Sequence, residues 1–201
     1  LLLATKPDTE IKNTNGETAL ALATIEGHAP AVKLLLANAS NPNNTDQEGY
    51  TPLMFAAMHG YTEICRLLIS HGASLDTQSK EQNSALSYAI WGNKPQIVKL
   101  LAENGANSNT MLHDNDTPLH AACMQSNNTI AKILIEHGAT INAPNSIGST
   151  ALIEACRTNN SKLVALLLDN GADKTTTNQL HETALKIATE LHNDTLINLL
   201  H

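Results

Sequence analysis

The chain has 201 residues, 42% hydrophobic but only 2% aromatic, so a core can form and must be built from Leu, Ile, Val and Ala. Twelve basic against nineteen acidic side chains leave a net charge of −7, which argues against unspecific attraction to nucleic acid or anionic membrane, because both need clustered Lys and Arg. No apolar run reaches the roughly 18 residues of a membrane span, the first ten residues lack the basic flank of a signal peptide, and Cys65, Cys123 and Cys156 do not read as a disulfide framework.

The organising signal is a 33-residue period. Thr18, Thr51, Ser84, Thr117, Thr150 and Thr183 follow one another without insertion or deletion. Two positions on stand Leu20, Leu53, Leu86, Leu119, Leu152 and Leu185; five on stand Ala23, Ala56, Ala89, Ala122, Ala155 and Ala188. Leu1-Leu2-Leu3 aligns with Leu34-Leu35-Leu36, so residues 1–11 read as the end of a truncated unit. Complete units follow at 12–44, 45–77, 78–110, 111–143 and 144–176, with a shortened one at 177–201.

Each unit reads as helix, turn, helix, turn. Thr-Pro at 51–52 and 117–118 is a helix start: the hydroxyl caps free amides and Pro suits the first helical position. Gly27 and Gly60, or Asn93 and Asn159 in the same slot, stop this first helix. A second helix carries runs such as Ile97-Val98-x-Leu100-Leu101 and ends at Gly72-Ala73, Gly105-Ala106, Gly138-Ala139 or Gly171-Ala172. Ala39-Ser40 departs from that pattern, so a different turn is expected there. Neither helix would be stable alone in water, where about 12–15 residues is marginal, so stability must come from stacking of neighbours.

These motifs resemble the ankyrin repeat. The Thr-Pro-Leu-His signature stands complete at Thr117-Pro118-Leu119-His120, with partial copies in the other units, and the resemblance covers the whole chain. It implies an all-α solenoid of stacked helix-turn-helix units joined by β-hairpin or turn fingers, a concave face lined by first helices, a structural His120 bonded to hairpin backbone, and a protein-binding role. Both ends lack the polar face of a capping unit, so the chain is expected to be a fragment of something longer.

A helix turns about 100° per residue. Counted from the Thr, positions +2, +5 and +6 should face the stack and +4, +7 and +8 should face away. The outward set holds Phe55, Tyr88, Met58, Trp91, Met124, His59 and Gln125, and Tyr50 lies on a finger one residue before Thr51. Exposed aromatics and Met are usual interface anchors. The fingers carry Glu17, Asp46, Glu48, Glu81, Asp114, Asp116 and Glu182 against Lys12 and Lys80. The expected site is therefore Tyr50, Phe55, Met58, His59, Tyr88, Trp91, Met124 and Gln125 with Glu48, Glu81 and Asp114 at the tips. It would take a protein partner with an apolar anchor and a basic rim.

Catalytic signatures are missing: there is no Gly-rich phosphate loop and no Gly-x-Ser-x-Gly elbow. Cys123 and Cys156 read as buried small hydrophobes, Glu154 and Arg157 as a surface ion pair. His113, Asp116 and His120 have no spacing that requires a metal. No cofactor is expected. Asn-x-Ser/Thr triplets at Asn38, Asn43, Asn127, Asn159 and Asn193 read as features of an Asn-rich intracellular chain rather than glycosylation sites. The expectation is a non-enzymatic, monomeric, cytoplasmic interaction scaffold. The alternative is the targeting arm of a larger enzyme, or of a secreted bacterial effector acting in a host cytosol, since the Asn, Thr and Ile content hints at an AT-rich genome.

Overall fold

The computed structural model describes residues 8–201, so the opening Leu1-Leu2-Leu3 lies outside the described residues. Twelve α-helices and no strand occur among the described residues. The chain divides after Ala106 into two compact units.

The first unit holds three helix pairs: α1 (Ala19–Ile25) with α2 (Ala29–Ala37), α3 (Pro52–His59) with α4 (Thr62–Ser70), and α5 (Ala85–Trp91) with α6 (Pro95–Glu103). First helices pack on first helices, α3 between α1 and α5, while α4 lies between α2 and α6. Leu20, Leu53, Leu86, Ile64, Ile97, Leu68 and Leu101 fill the interior, each no more than 1% exposed. Ala56 and Ala89 are fully buried where first helices meet, and a larger side chain there would push the helices apart.

The second unit repeats the plan with α7 (Pro118–Met124), α8 (Asn128–Glu136), α9 (Ala151–Arg157), α10 (Ser161–Asp169), α11 (Ala184–Glu190) and α12 (Asp194–Leu200). Here α9 lies between α7 and α11, and α10 between α8 and α12. Leu119, Leu152, Ile130, Leu163, Leu134, Leu167 and Leu196 form the core, again no more than 1% exposed.

Thr18, Thr51, Ser84, Thr117 and Thr183 accept a backbone N–H three residues on, as the sequence suggests. Thr150 does not; its buried Oγ1 has no partner among the described residues. Second helices differ between the units. Asn127, Asn160 and Asn193 cap α8, α10 and α12 with their side-chain oxygens. His28, Tyr61 and Lys94 make no such bond among the described residues, and α2 and α6 start instead with Pro30 and Pro95 in the first turn.

The fingers are turns rather than β-hairpins. Each closes with one cross-bond and one turn bond, such as Asp46 N to Tyr50 O (3.1 Å) with Gly49 N to Asp46 O (3.2 Å), or Asn145 N to Ser149 O (2.9 Å) with Gly148 N to Asn145 O (2.9 Å). One further bond joins each pair of neighbours: Gln47 N to Asn15 O and Lys80 N to Glu48 O (both 2.9 Å) in the first unit, Ser146 N to Asp114 O (2.8 Å) and Gln179 N to Ile147 O (2.9 Å) in the second. That is too short a ladder to count as strand. An Asn or Asp opens most fingers and accepts two N–H groups of its own turn, as Asp46 does from Glu48 and Tyr50. Leu112 stands in that slot of the fourth finger and cannot accept. A 3-10 turn at His113–Asn115 forms there instead, with Asp114 and Asn115 both left-handed. The turn at Ala39 is not different, contrary to expectation: Ala39 takes φ 64°, close to the φ 84° of Gly72, and its neighbour bonds back to Leu35 in the same way.

Candidate protein-binding surface

All five aromatic side chains of the chain fall in the first unit, at Tyr50, Phe55, Tyr61, Tyr88 and Trp91. Four form a continuous row across α3, α5 and the finger before α3. Tyr50 stacks on Phe55 (centroids 5.3 Å apart, 21° between planes), Tyr50 meets Tyr88 at 5.4 Å, and Tyr88 meets Trp91 edge-on at 5.8 Å. These are favourable offset and T-shaped distances. Trp91 is 43% exposed; Tyr50, Phe55 and Met58 are half-buried and His59 is exposed. Tyr61, which the sequence reading left out, stacks on His59 at 5.5 Å and lies over Gly27.

Tyr88 corrects the expectation for position +4. It is only 6% exposed, as are Ala121, Glu154 and Ile187 in the same column. The Tyr88 ring is covered by Tyr50 of the preceding finger and by Trp91, and its hydroxyl lies 3.3 Å from Ser79 Oγ. Position +7 behaves as expected at Trp91 and Met124, whereas Met58 is half-buried.

The finger carboxylates divide by role. Asp46 accepts from its own turn, Glu17 from Asn13 (2.7 Å), Asp116 from Asn145 (2.9 Å) and Glu182 from Asn178 (2.7 Å). Glu48, Glu81 and Asp114 are the exposed ones, and they occupy equivalent tip positions in three successive fingers. Glu48 meets Lys80 at 3.5 Å, with both side chains about two-thirds exposed, so the pair contributes little. Glu81 Oε2 accepts long bonds of 3.4 Å from both the Tyr50 and the Tyr88 hydroxyls. The Tyr50 phenol is held well above its usual range by its hydrogen bond with Tyr88 first, then by burial and the charge of Glu81.

In the second unit Met124 is 45% exposed and Gln125 and Asp114 are exposed. Met124 and Ile147 line a cleft of about 350 Å³ with Asp114, Asp116, Glu154 and Arg157. Ile147 and Leu180 were not anticipated. The signal was present: the tip column reads Asn15, Glu48, Glu81, Asp114, Ile147, Leu180, changing from polar to apolar. Glu154 and Arg157 are not a surface pair. Glu154 is 6% exposed and accepts from Arg157 at 2.7 Å, and Arg157 also donates to Glu182 of the last finger.

His120 sits where the signature implies. Its Nδ1 faces the Thr117 N–H (3.1 Å), so Nε2 donates to Ser149 O (2.9 Å). The three cysteines are buried and free. Among the described residues no group of three His, Cys, Asp or Glu is arranged to hold a metal ion, and no helix is long and apolar enough to cross a membrane.

An ankyrin-repeat family model matches residues 1–79, 36–111 and 86–178, and the chain belongs to that family. It is similar to the ankyrin repeat domain of Bcl-3, a member of the IkappaB family (27% identity, TM-score 0.88, covering 99% of this chain and 89% of that one). It is also similar to a chain in the complex of the Bd0816 predatory endopeptidase from Bdellovibrio bacteriovorus with immunity protein Bd3460 (29% identity, TM-score 0.81, 92% and 97% covered). A third similar structure is the ankyrin repeat protein EF0377 (26%, 0.86, 94% and 98%). No curated protein sequence matches the chain. Ankyrin repeats in general mediate protein–protein interaction.

Proposed function

We propose that this chain is a non-enzymatic interaction module and that a protein partner docks on the first-helix face and finger tips, with the aromatic row of the first unit as its principal anchor. The supporting observation is Trp91. Its large apolar ring stays 43% exposed although the same row buries Tyr88. An exposed aromatic strip flanked by carboxylates is the composition of an interface core with a polar rim. The neighbour solved with an immunity protein in its complex is consistent with such a role.

Affinity capture with the wild type, Trp91→Ala and Leu191→Ala tests it. Leu191 is as exposed as Trp91 but lies at the end of α11, in the second unit, which holds no aromatic side chain. Trp91→Ala should lower capture about tenfold or more, the effect of losing an interface hot spot. Leu191→Ala should leave it intact, and both variants should unfold near the wild-type temperature. Equal capture by Trp91→Ala and wild type would refute the placement.

A further inference from the structure

Resting on that docking surface, the finger end of the aromatic row specifies what the partner must present. The Tyr50 and Tyr88 hydroxyls both lie 3.4 Å from one oxygen of Glu81, they hydrogen-bond each other, and Tyr88 also lies 3.3 Å from Ser79 Oγ, so their two hydrogens are taken up within this group. Neither phenol therefore offers a donor to an incoming group. What remains is acceptors: the second Glu81 oxygen, the lone pairs of the half-buried Tyr50 phenol and, one finger away, Glu48. Beside them lie the partly exposed rings of Tyr50, Phe55 and Trp91, whose faces are electron-rich. The chain's own nearby cation, Lys80, is placed 3.5 Å from Glu48. At the opposite end of the row Lys94 lays its stem over Gly60, which makes that end basic. The row is thus polar along its length, with its acidic end at the finger tip.

A group that suits the acidic end must donate hydrogen bonds, carry positive charge and lie flat on rings. An ammonium is a compact, strongly hydrated point charge and meets only the first two needs; a planar guanidinium meets all three. We propose that the row receives an arginine side chain of the partner protein, its guanidinium stacked on the exposed rings and hydrogen-bonded to Glu81. The rings supply stacking surface and the carboxylate, fixed by two tyrosines, supplies direction.

Trp91 is the chain's single tryptophan, so its fluorescence reports on the row without a label. The probes are three blocked peptides that differ at one position, Leu-Arg-Leu, Leu-Lys-Leu and Leu-citrulline-Leu, citrulline being the neutral isostere of arginine. The arginine peptide should give a saturable emission change, bind about tenfold more tightly than the citrulline peptide, and bind a few-fold more tightly than the lysine peptide. Glu81→Gln, which keeps an acceptor for the tyrosines, should bring arginine down to the citrulline level. Glu103→Gln, an exposed carboxylate at the end of α6, should change nothing. Urea unfolding of each variant confirms that it is folded. Equal binding of arginine and citrulline, indifference to Glu81→Gln, or no saturable change with any peptide would overturn the assignment. The capture experiment separates this from the broader reading. Loss of capture in Trp91→Ala alongside indifference to charge leaves the docking face standing and removes only the guanidinium, whereas retained capture removes the face.

Discussion

Trp91 and Tyr88 are three residues apart on one helix, yet one is exposed and the other buried. Angular position on an isolated helix put both outside. The actual boundary was set by the fingers, whose Tyr50, Ser79 and Glu81 meet Tyr88 and which helical periodicity does not position. Residues deep in the stack were legible because their columns are uniform: Leu at +2 and Ala at +5 are buried in every internal pair. Ala39 is the residue at which sequence and backbone disagree most openly. It holds φ 64°, in a slot that Gly72, Gly105, Gly138 and Gly171 fill elsewhere, and a β-carbon in that region costs roughly 1–2 kcal/mol. Because Ala39 is exposed and nothing packs on its methyl from a core, Ala39→Gly should stabilise the chain by about 0.5–1 kcal/mol after the added freedom of the unfolded state is counted. A thermal melt of the variant checks this; a lower melting temperature would show that the strain is absent.

At the level of elements, the helix pairs and their order were legible and the fingers were less so. Helix starts and stops have local chemistry that a single sequence displays. A finger's turn is not set by its opening residue alone: Leu112 goes with a 3-10 turn, whereas Ser79, whose hydroxyl meets Tyr88 instead, keeps the turn of its neighbours. The Glu154–Arg157–Glu182 group is likewise a tertiary feature, since Glu182 lies 25 residues beyond Arg157 and only folding brings them together. It joins α9 to the finger leading into α11. Arg157→Met would leave Glu154 buried beside no counter-charge and should destabilise by about 2–4 kcal/mol. The double variant Glu154→Leu, Arg157→Met should recover most of that loss, because the apolar pair removes the buried charge altogether. Urea-unfolding free energies decide the matter, and a double variant no better than Arg157→Met would contradict it.

Across the whole chain the 33-residue registry disclosed the family, because every stabilising contact of such a stack is between neighbours in sequence. The division after Ala106 was not legible, although the clustering of the aromatics before it was; that Asn127, Asn160 and Asn193 cap the second helices after it came from the structure. Stability of the full chain should have two pH edges. Burial pushes the Cys65 and Cys156 thiols up to about 12, and burial, then Glu154 and Cys156, raise Cys123. Unfolded thiols ionise near about 8.5, so between that pH and about 12 the unfolded chain holds fewer protons than the native one, and stability falls as pH rises. On the acid side Glu182 is held below its usual range by the Asn178 amide and then by Arg157. Its contribution is present above the ordinary carboxylate range, about pH 4, and is lost as pH falls below it. Urea midpoints should therefore be level near neutrality and decline in both directions; a midpoint unchanged between pH 8 and 11 would count against buried, protonated thiols.

Within each unit the cross-links recur at nearly constant sequence offsets. Asn43 bridges to Gly72 and Ser74 in the first unit, and Asn109 to Gly138 and Thr140 and Asn142 to Gly171 and Asp173 in the second. Such a chain has a natural quantum of length. Adding or removing one whole period returns every donor to an acceptor of the same kind, whereas a shift of a single residue sets loop amides against the wrong groups along the entire edge.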